Sequence, residues 1–264
     1  MKLNLLIFIA LFFSLSHVES SANIMKLDKP ILVALAHPDD ETWLSGTLSF
    51  LSRENSNIYV LYATSGGAGK DRSGLGRHKE YLAFAREQET IKALKQLGVH
   101  QAPIYLKLDD KNLELFAKDF KIKLSAIIEE YQIENIISFD PYGITQHKDH
   151  IFIGQQAKQV WQSEKFKYKA IDFYQVVISD TRASSANNLA KKREHPFRIK
   201  HATNSNKINT RVNVADQQIN RVLAFASYRT QFPPSLMALW QEFTEFDQYE
   251  EFIKLSNNLR KLNR

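Results

Sequence analysis

The sequence predicts an α/β fold, a Rossmann-like three-layer sandwich with a mostly parallel sheet and helices on both faces. Three observations lead there. Short apolar runs without polar alternation, such as Ile31-Leu32-Val33-Ala34-Leu35-Ala36, have the pattern of strands covered on both faces. Amphipathic stretches of helix length separate those runs, which is the order of right-handed βαβ crossovers. A chain of 264 residues with 44% hydrophobic side chains can fill the core of one such domain.

The elements follow in order. The first strand is expected at 31–36, and residues 43, 44, 47, 48 and 51, all apolar except Thr47, then keep helical spacing. A second buried strand is expected at 58–63, followed by a long amphipathic helix at 78–97 that Gly98 terminates. A strand at 103–106, a helix at 116–131, a strand at 135–139, a helix at 151–161 and a strand at 170–178 continue the alternation. Residues 181–213 break it, being polar, basic and without apolar period, and are expected to form a variable active-site loop or a small β excursion. Residues 215–260 return to helical spacing. With no internal repeat, residues 21–264 read as a single domain.

Residues 1–20 stand apart. Lys2, an apolar run at 3–15, and small Val18 and Ser20 before Ser21 have the layout of a cleaved secretory signal peptide. The run is shorter than the roughly 20 residues that span a bilayer, so a retained membrane anchor is the lesser alternative. The expectation is an exported protein, periplasmic or secreted, with no stable membrane span in the mature chain. The chain has no Cys, so disulfides and thiolate ligands are excluded, and any metal must be held by His and carboxylates. The net charge of +6 reads as general solubility. The basic stretch Lys191-Lys192-Arg193 is not interleaved with stacking aromatics, so no nucleic-acid partner is expected.

Two clusters carry chemistry. His37-Pro38-Asp39-Asp40-Glu41 follows the first strand directly, and His147-Lys148-Asp149-His150 follows the loop after the strand at 135–139. Open α/β sheets bind ligands at the carboxyl ends of their strands, where both clusters are expected. A catalytic zinc ion takes three protein ligands and leaves a position for water, whose pKa then falls to near 7. A further carboxylate can accept that water's proton, and a further His can stabilise the oxyanion or protonate a leaving amine. The two clusters contain enough groups for every role.

Ala36-His37-Pro38-Asp39-Asp40-Glu41 resembles the signature of the LmbE-like, or PIG-L, de-N-acetylases, and His147 to His150 resembles that family's second motif, His-x-Asp-His. Weaker echoes are Thr64-Ser65-Gly66-Gly67, Arg86-x-x-Glu89 ahead of Leu97-Gly98, and Tyr228-Arg229-Thr230-Gln231, so the resemblance spans 31–231. It implies zinc-dependent hydrolysis of the N-acetyl group of an N-acetylglucosamine-containing glycan or glycoconjugate, with another divalent metal as the alternative to zinc. It further implies His37, Asp40 and His150 as metal ligands and Asp39 as general base. His147 would polarise the acetyl oxygen or protonate the amine, with Asp149 orienting it, and Arg86 would contact substrate hydroxyls. Thr230 stands where Ser is commoner and Lys148 where Pro is usual.

Other readings compete. The same site suits a metal-dependent amidase acting on a thiol conjugate or a longer N-acyl sugar, or a non-catalytic exported glycan- or metal-binding module, against which an intact Asp39 argues. Asp40 could simply cap the following helix, and Arg86 and Glu89 at i,i+3 could be a surface pair. Glu41 reads as structural, Trp43 as core, and Trp240 with Phe232-Pro233-Pro234 as packing or pocket rim. Ser65-Gly66-Gly67-Ala68-Gly69 lacks the Lys-Ser/Thr ending of a phosphate loop and reads as a tight turn lining the pocket. Selection of the aglycone is expected in 181–211.

Overall fold

The computed structural model describes residues 29–167 and 169–255. The leader expected at 1–20 lies outside the described residues, as does the end of the helical segment expected to reach 260. Seven strands form one sheet in the order β3-β2-β1-β4-β5-β7-β6. β1 (Ile31–Leu35), β2 (Ile58–Tyr62), β3 (Ile104–Tyr105), β4 (Asn135–Phe139) and β5 (Asp172–Val177) run parallel, while β7 (Tyr249–Leu255) pairs antiparallel with both β5 and β6 (Thr210–Asn213). Every residue of β1 and β4 is buried, as strands covered on two faces require; β1 is wholly apolar, and β4 buries Asn135 and Ser138 as well.

The crossovers supply the covering layers. α1 (Ser45–Leu51) and α2 (Lys79–Gln96) connect β1 to β2 and β2 to β3, and both pack against α7 (Gln218–Ala226). α3 (Ala117–Glu130) and α5 (Lys148–Gln162) make the return crossovers and pack together, with α5 against β1 and β4. A short helical turn, α4 (Gly143–Gln146), precedes α5. The order in which strands are added reverses between the parallel neighbours β1 and β4, which places the topological switch point, the usual ligand crevice of such sheets, between their carboxyl ends.

Two expectations are corrected. Residues 181–213 are not mainly a loop: α6 (Asp180–Lys192) fills the first part, and only β6 answers to the β excursion. The buried face of α6 is Ala183, Ala186, Leu189 and Ala190, so its apolar stripe is mostly alanine and faint in the sequence. Ser179 caps the helix by accepting the N–H of Arg182. Nor does helix continue past α8 (Pro234–Phe246): β7 follows. Its Glu250 and Glu251 are buried, facing Arg221 at 3.6 Å and Arg182 at 3.7 Å, and these buried charges hide the strand's pattern.

Candidate active site

β1 ends at Leu35, and the chain turns sharply through His37 to Asp40 into a 3₁₀ turn, Asp40–Leu44. Asp39 sits in that turn with φ 101°, a conformation that side chains rarely adopt. Asp40 does not cap the helix ahead. It folds backward, its Oδ2 accepting the N–H groups of Ala36 at 3.1 Å and His37 at 2.7 Å. Glu41 is fully buried and accepts hydrogen bonds from the hydroxyls of Tyr62, at 2.8 Å, and Tyr228. Burial pushes its carboxyl up to about 7, against the lowering effect of those two hydroxyls. Its structural reading holds.

The second cluster is presented by the turn after β4. Asp140 Oδ1 accepts the N–H groups of Tyr142 and Ile144, and Ile144 is held at φ 55°. Gly143 lies so close to α5 that a Cβ there would stand 2.7 Å from His150 Cβ. The Gly143 carbonyl lies 3.1 Å from His150 Nδ1 and can only accept, so Nδ1 carries the hydrogen and Nε2 faces the site. Asp40 Oδ1 lies 3.0 Å from that Nε2. His147 accepts the N–H of Asp149 at its Nδ1 at 3.2 Å, so a neutral His147 carries its hydrogen on Nε2. Burial, then the neighbouring His37 and His150, holds His147 below its usual value.

These two strand ends bring five of the seven expected residues together in one cleft, Arg86 of α2 adds a sixth, and Asp149 lies buried directly behind it. His37, His147 and His150 place ligand atoms within 4.8 Å of one another, and Asp40 reaches His37 Nδ1 at 3.7 Å as well as His150. Asp149 is aimed chiefly at His37, with Oδ2 3.0 Å from His37 Nε2 and 3.9 Å from His147 Nδ1. A second group, His37, Asp110 and Asp149, has the same compactness. Burial disfavours charge on His37, yet Asp110, Asp149 and Asp40 together push it up to about 10. Burial and the charge of Asp40 hold Asp39 well above the usual carboxylate range, with Arg86 and His37 opposing. The buried Oδ1 of Asp149 has no partner among the described residues. Crowded carboxylates around one imidazole, with an orphaned carboxylate oxygen, are the surroundings a divalent cation satisfies, and imidazole with carboxylate is a fitting donor set.

Arg86 and Glu89 are buried, not a surface pair. The Arg86 guanidinium donates to the carbonyls of Gly66 at 2.6 Å and Lys70 at 3.3 Å, beneath the glycine-rich loop, while lining the cleft. A Cβ on Gly69 would stand 2.5 Å from its Nη1, so a side chain there would displace the guanidinium from its present place. Glu89 accepts both the N–H and the hydroxyl of Thr230, and Gln231 Nε2 donates to the Pro38 carbonyl at 2.7 Å. The late Tyr228-Arg229-Thr230-Gln231 element is thereby pinned to the first motif. Threonine keeps the hydroxyl that the commoner serine would supply.

Sequence reasoning missed Asp110. It follows β3, lies 3.4 Å from His37 Nε2 and accepts the N–H of Ala68. An Asp pair just past a strand end, Asp109-Asp110, was the available signal. Trp43 is half-buried and faces the cleft as well as the core. Phe232 and Trp240 form the cleft wall, with Leu189 of α6 and Phe243 of α8.

Residues 32–161 match the protein family described as PIG-L, GlcNAc-PI de-N-acetylase. A Schizosaccharomyces pombe protein named probable N-acetylglucosaminyl-phosphatidylinositol de-N-acetylase is 30% identical over 168 residues, 61% of this chain and 65% of that one. A Bacillus cereus protein named probable N-acetyl-alpha-D-glucosaminyl L-malate deacetylase 2 is 29% identical over 133 residues, 49% of this chain and 59% of that one. The chain thus spans less than two thirds of the length of either relative. Among solved structures, the N,N'-diacetylchitobiose deacetylase of Pyrococcus horikoshii superposes with a TM-score of 0.65 at 19% identity, over 88% of this chain and 85% of that one. At that identity the likeness speaks for the fold.

Proposed function

Because the chain carries a PIG-L/LmbE-like domain, we propose that it hydrolyses the N-acetyl group of an N-acetylglucosamine-containing glycan or glycoconjugate, releasing acetate and the free amine. The observation that carries this reading is the convergence of three imidazoles, His37, His147 and His150, with Asp39 and Asp40 in one cleft at the switch point. The names of both relatives share the N-acetylglucosaminyl group and differ in what it is attached to. That supports the sugar as the common element and leaves selection of the aglycone to this chain's own walls.

In this reading His37, Asp40 and His150 would hold a divalent cation, zinc in preference to others, which when bound would supply a Lewis acid for the amide carbonyl and the attacking water. Asp39 accepts the proton from the attacking water; the burial and the Asp40 charge that hold it protonated would be offset by a cation held at the neighbouring ligands. The proton then passes to the amide nitrogen, so that the C–N bond breaks and the amine leaves. His147, neutral because its pKa is held down, presents Nε2–H to the developing oxyanion. Asp149 fixes His37 through the 3.0 Å contact and turns His147 through its own N–H. Arg86 and Asp110 bound the polar side of the cleft, where sugar hydroxyls are received. The apolar leader at 3–15 directs export in the same reading, which favours envelope or foreign glycans as the source of substrate.

The test is acetate release from a panel of N-acetylglucosamine glycosides by the zinc-loaded protein. Turnover of at least one glycoside, lost on chelation and restored by zinc, is expected. Full zinc loading with no acetate from any of them overturns the reading in favour of a binding module.

A further inference from the structure

The cleft has two chemically different halves on either side of the His/Asp cluster. Its polar half comes from the loops after β2 and β3, with Gly69, Arg86, Asp110 and Lys111. The opposite half comes from the segment after β5 together with the helices that close the domain. There Leu189 of α6 faces Leu239 and Phe243 of α8, members of a small apolar cluster separate from the main core. A run of aromatic rings continues this wall back to the site. Trp43, three residues after Asp40, meets Trp240 edge-on at 6.4 Å, and Trp240 stacks on Phe225 at 4.8 Å and contacts Phe243 at 5.7 Å. The strand order β3-β2-β1-β4-β5 keeps the halves apart, because the cluster stands on the two middle strands, β1 and β4.

An acetyl group has one methyl to bury and leaves such a wall uncovered. An amide carries its two substituents on opposite sides of the carbonyl. If the sugar lies against Arg86 and Asp110, the acyl substituent points across the cluster into the apolar half. We propose that the preferred substrate is a glucosamine bearing an N-acyl chain longer than acetyl, seated in the slot between Trp43, Trp240 and Phe243. This rests on the amide-hydrolase reading above and deepens it. Water adds to the acyl carbon, the C–N bond breaks, the amine keeps the sugar and a proton, and a medium-chain carboxylate leaves.

The experiment has a kinetic arm and a binding arm. Release of free amine is followed for N-acetyl-, N-butanoyl-, N-hexanoyl- and N-octanoylglucosamine with the zinc-loaded protein. A buried methylene contributes enough for kcat/KM to rise about fourfold per added CH₂ until the slot is full. Binding is read through the fluorescence of Trp43 and Trp240, using N-octanesulfonylglucosamine, whose sulfonamide is not cleaved as a carboxamide is. A saturable change is expected, and none with N-methanesulfonylglucosamine. Ala186→Phe, which fills the α6 side of the slot, should bring the hexanoyl-to-acetyl ratio of kcat/KM to near one. Ala238→Phe, the same substitution at an exposed α8 position outside the cleft, controls for general disturbance and should keep the ratio.

The outcomes separate the two readings. Saturable binding of the octane sulfonamide with no cleavage of any amide refutes the hydrolase reading and leaves the slot supported. Cleavage of the acetyl compound with no gain along the series and no fluorescence change overturns the slot proposal alone. A gain with octyl N-acetylglucosaminide in place of the N-octanoyl sugar also overturns it, since the slot then serves the aglycone.

Discussion

Glu41 makes the clearest test of how the first motif is held. Its carboxylate is fully buried and takes two tyrosine hydroxyls, and burial still pushes it from 4.5 to about 7. The folded protein therefore binds this proton more tightly than the unfolded chain does. Between pH 4.5 and pH 7 the native state holds more protons, so stability falls as pH rises through that window. The shift corresponds to about 3 kcal/mol over the whole window, and to about 2 kcal/mol between pH 5 and pH 8, as an order of magnitude. Glu41→Gln keeps the shape and removes the titration. The Tyr228 hydroxyl, which also lies 3.3 Å from Thr90 Oγ1, can turn toward it and accept from the new amide. Urea unfolding of both metal-free proteins at pH 5, 6, 7 and 8 is the assay. The stability of Glu41→Gln relative to the native chain should rise steadily with pH, by roughly 2 kcal/mol across the series. Parallel pH curves for the two proteins would refute the reasoning, because they would place no titrating proton at Glu41.

Three further outcomes are expected. Asp39→Asn should lower kcat by about 10²-fold or more while zinc stoichiometry stays at the native value, measured by turnover and elemental analysis side by side; unchanged turnover would remove Asp39 as the base. His37→Ala and His150→Ala should each lose bound zinc after dialysis; retention at native stoichiometry in His150→Ala would move the metal to the second group, His37 with Asp110 and Asp149, and retention in His37→Ala would remove His37 as a ligand in either group. Thr230→Val should destabilise by about 1–3 kcal/mol in urea unfolding, since it strips a buried carboxylate, Glu89, of a hydroxyl donor while keeping the side-chain shape; a change near zero would mean the late motif does not brace the first.

What could be read from the sequence was whatever is contiguous in it. β1 is an unbroken apolar run and β4 is apolar at Ile136, Ile137 and Phe139, and each chemical cluster is contiguous and follows its strand through a single turn or loop, so both fold class and cluster position were legible. α6 was not, because three alanines carry most of its buried face and an alanine stripe hardly differs from a polar loop in hydropathy. β7 was not, because its buried glutamates are matched by arginines from α6 and α7. Asp110 escaped for a related reason: one carboxylate after a two-residue strand has no pattern, and its approach to His37 is made only by the fold. The apolar wall was legible only in part: Trp240 and Phe232 read as packing or pocket rim, while the members from the turn after β1, α6 and α7 carried no such signal.

The late motif and the first motif explain each other. Asp39 must point its carboxyl into the cleft from a turn whose backbone, at φ 101°, is one that a side chain resists at a cost of about 1–3 kcal/mol. Such a conformation persists only where the surroundings over-determine it. The neighbouring strand ends reach side chains of this turn, with His150 3.0 Å from Asp40 and Asp149 3.0 Å from His37. The turn is braced as well from nearly two hundred residues downstream. Gln231 holds the Pro38 carbonyl immediately before Asp39, Tyr228 holds Glu41 two residues after it, and Thr230 ties both to α2 through Glu89. In the element Tyr228-Arg229-Thr230-Gln231, a weak echo of the family in the sequence, Tyr228 and Gln231 are thus bonded to the turn itself and Thr230 to the helix behind it. Their chemistry is positional: they keep the proposed base in a strained backbone without touching its carboxylate, which leaves that carboxylate free for a proton.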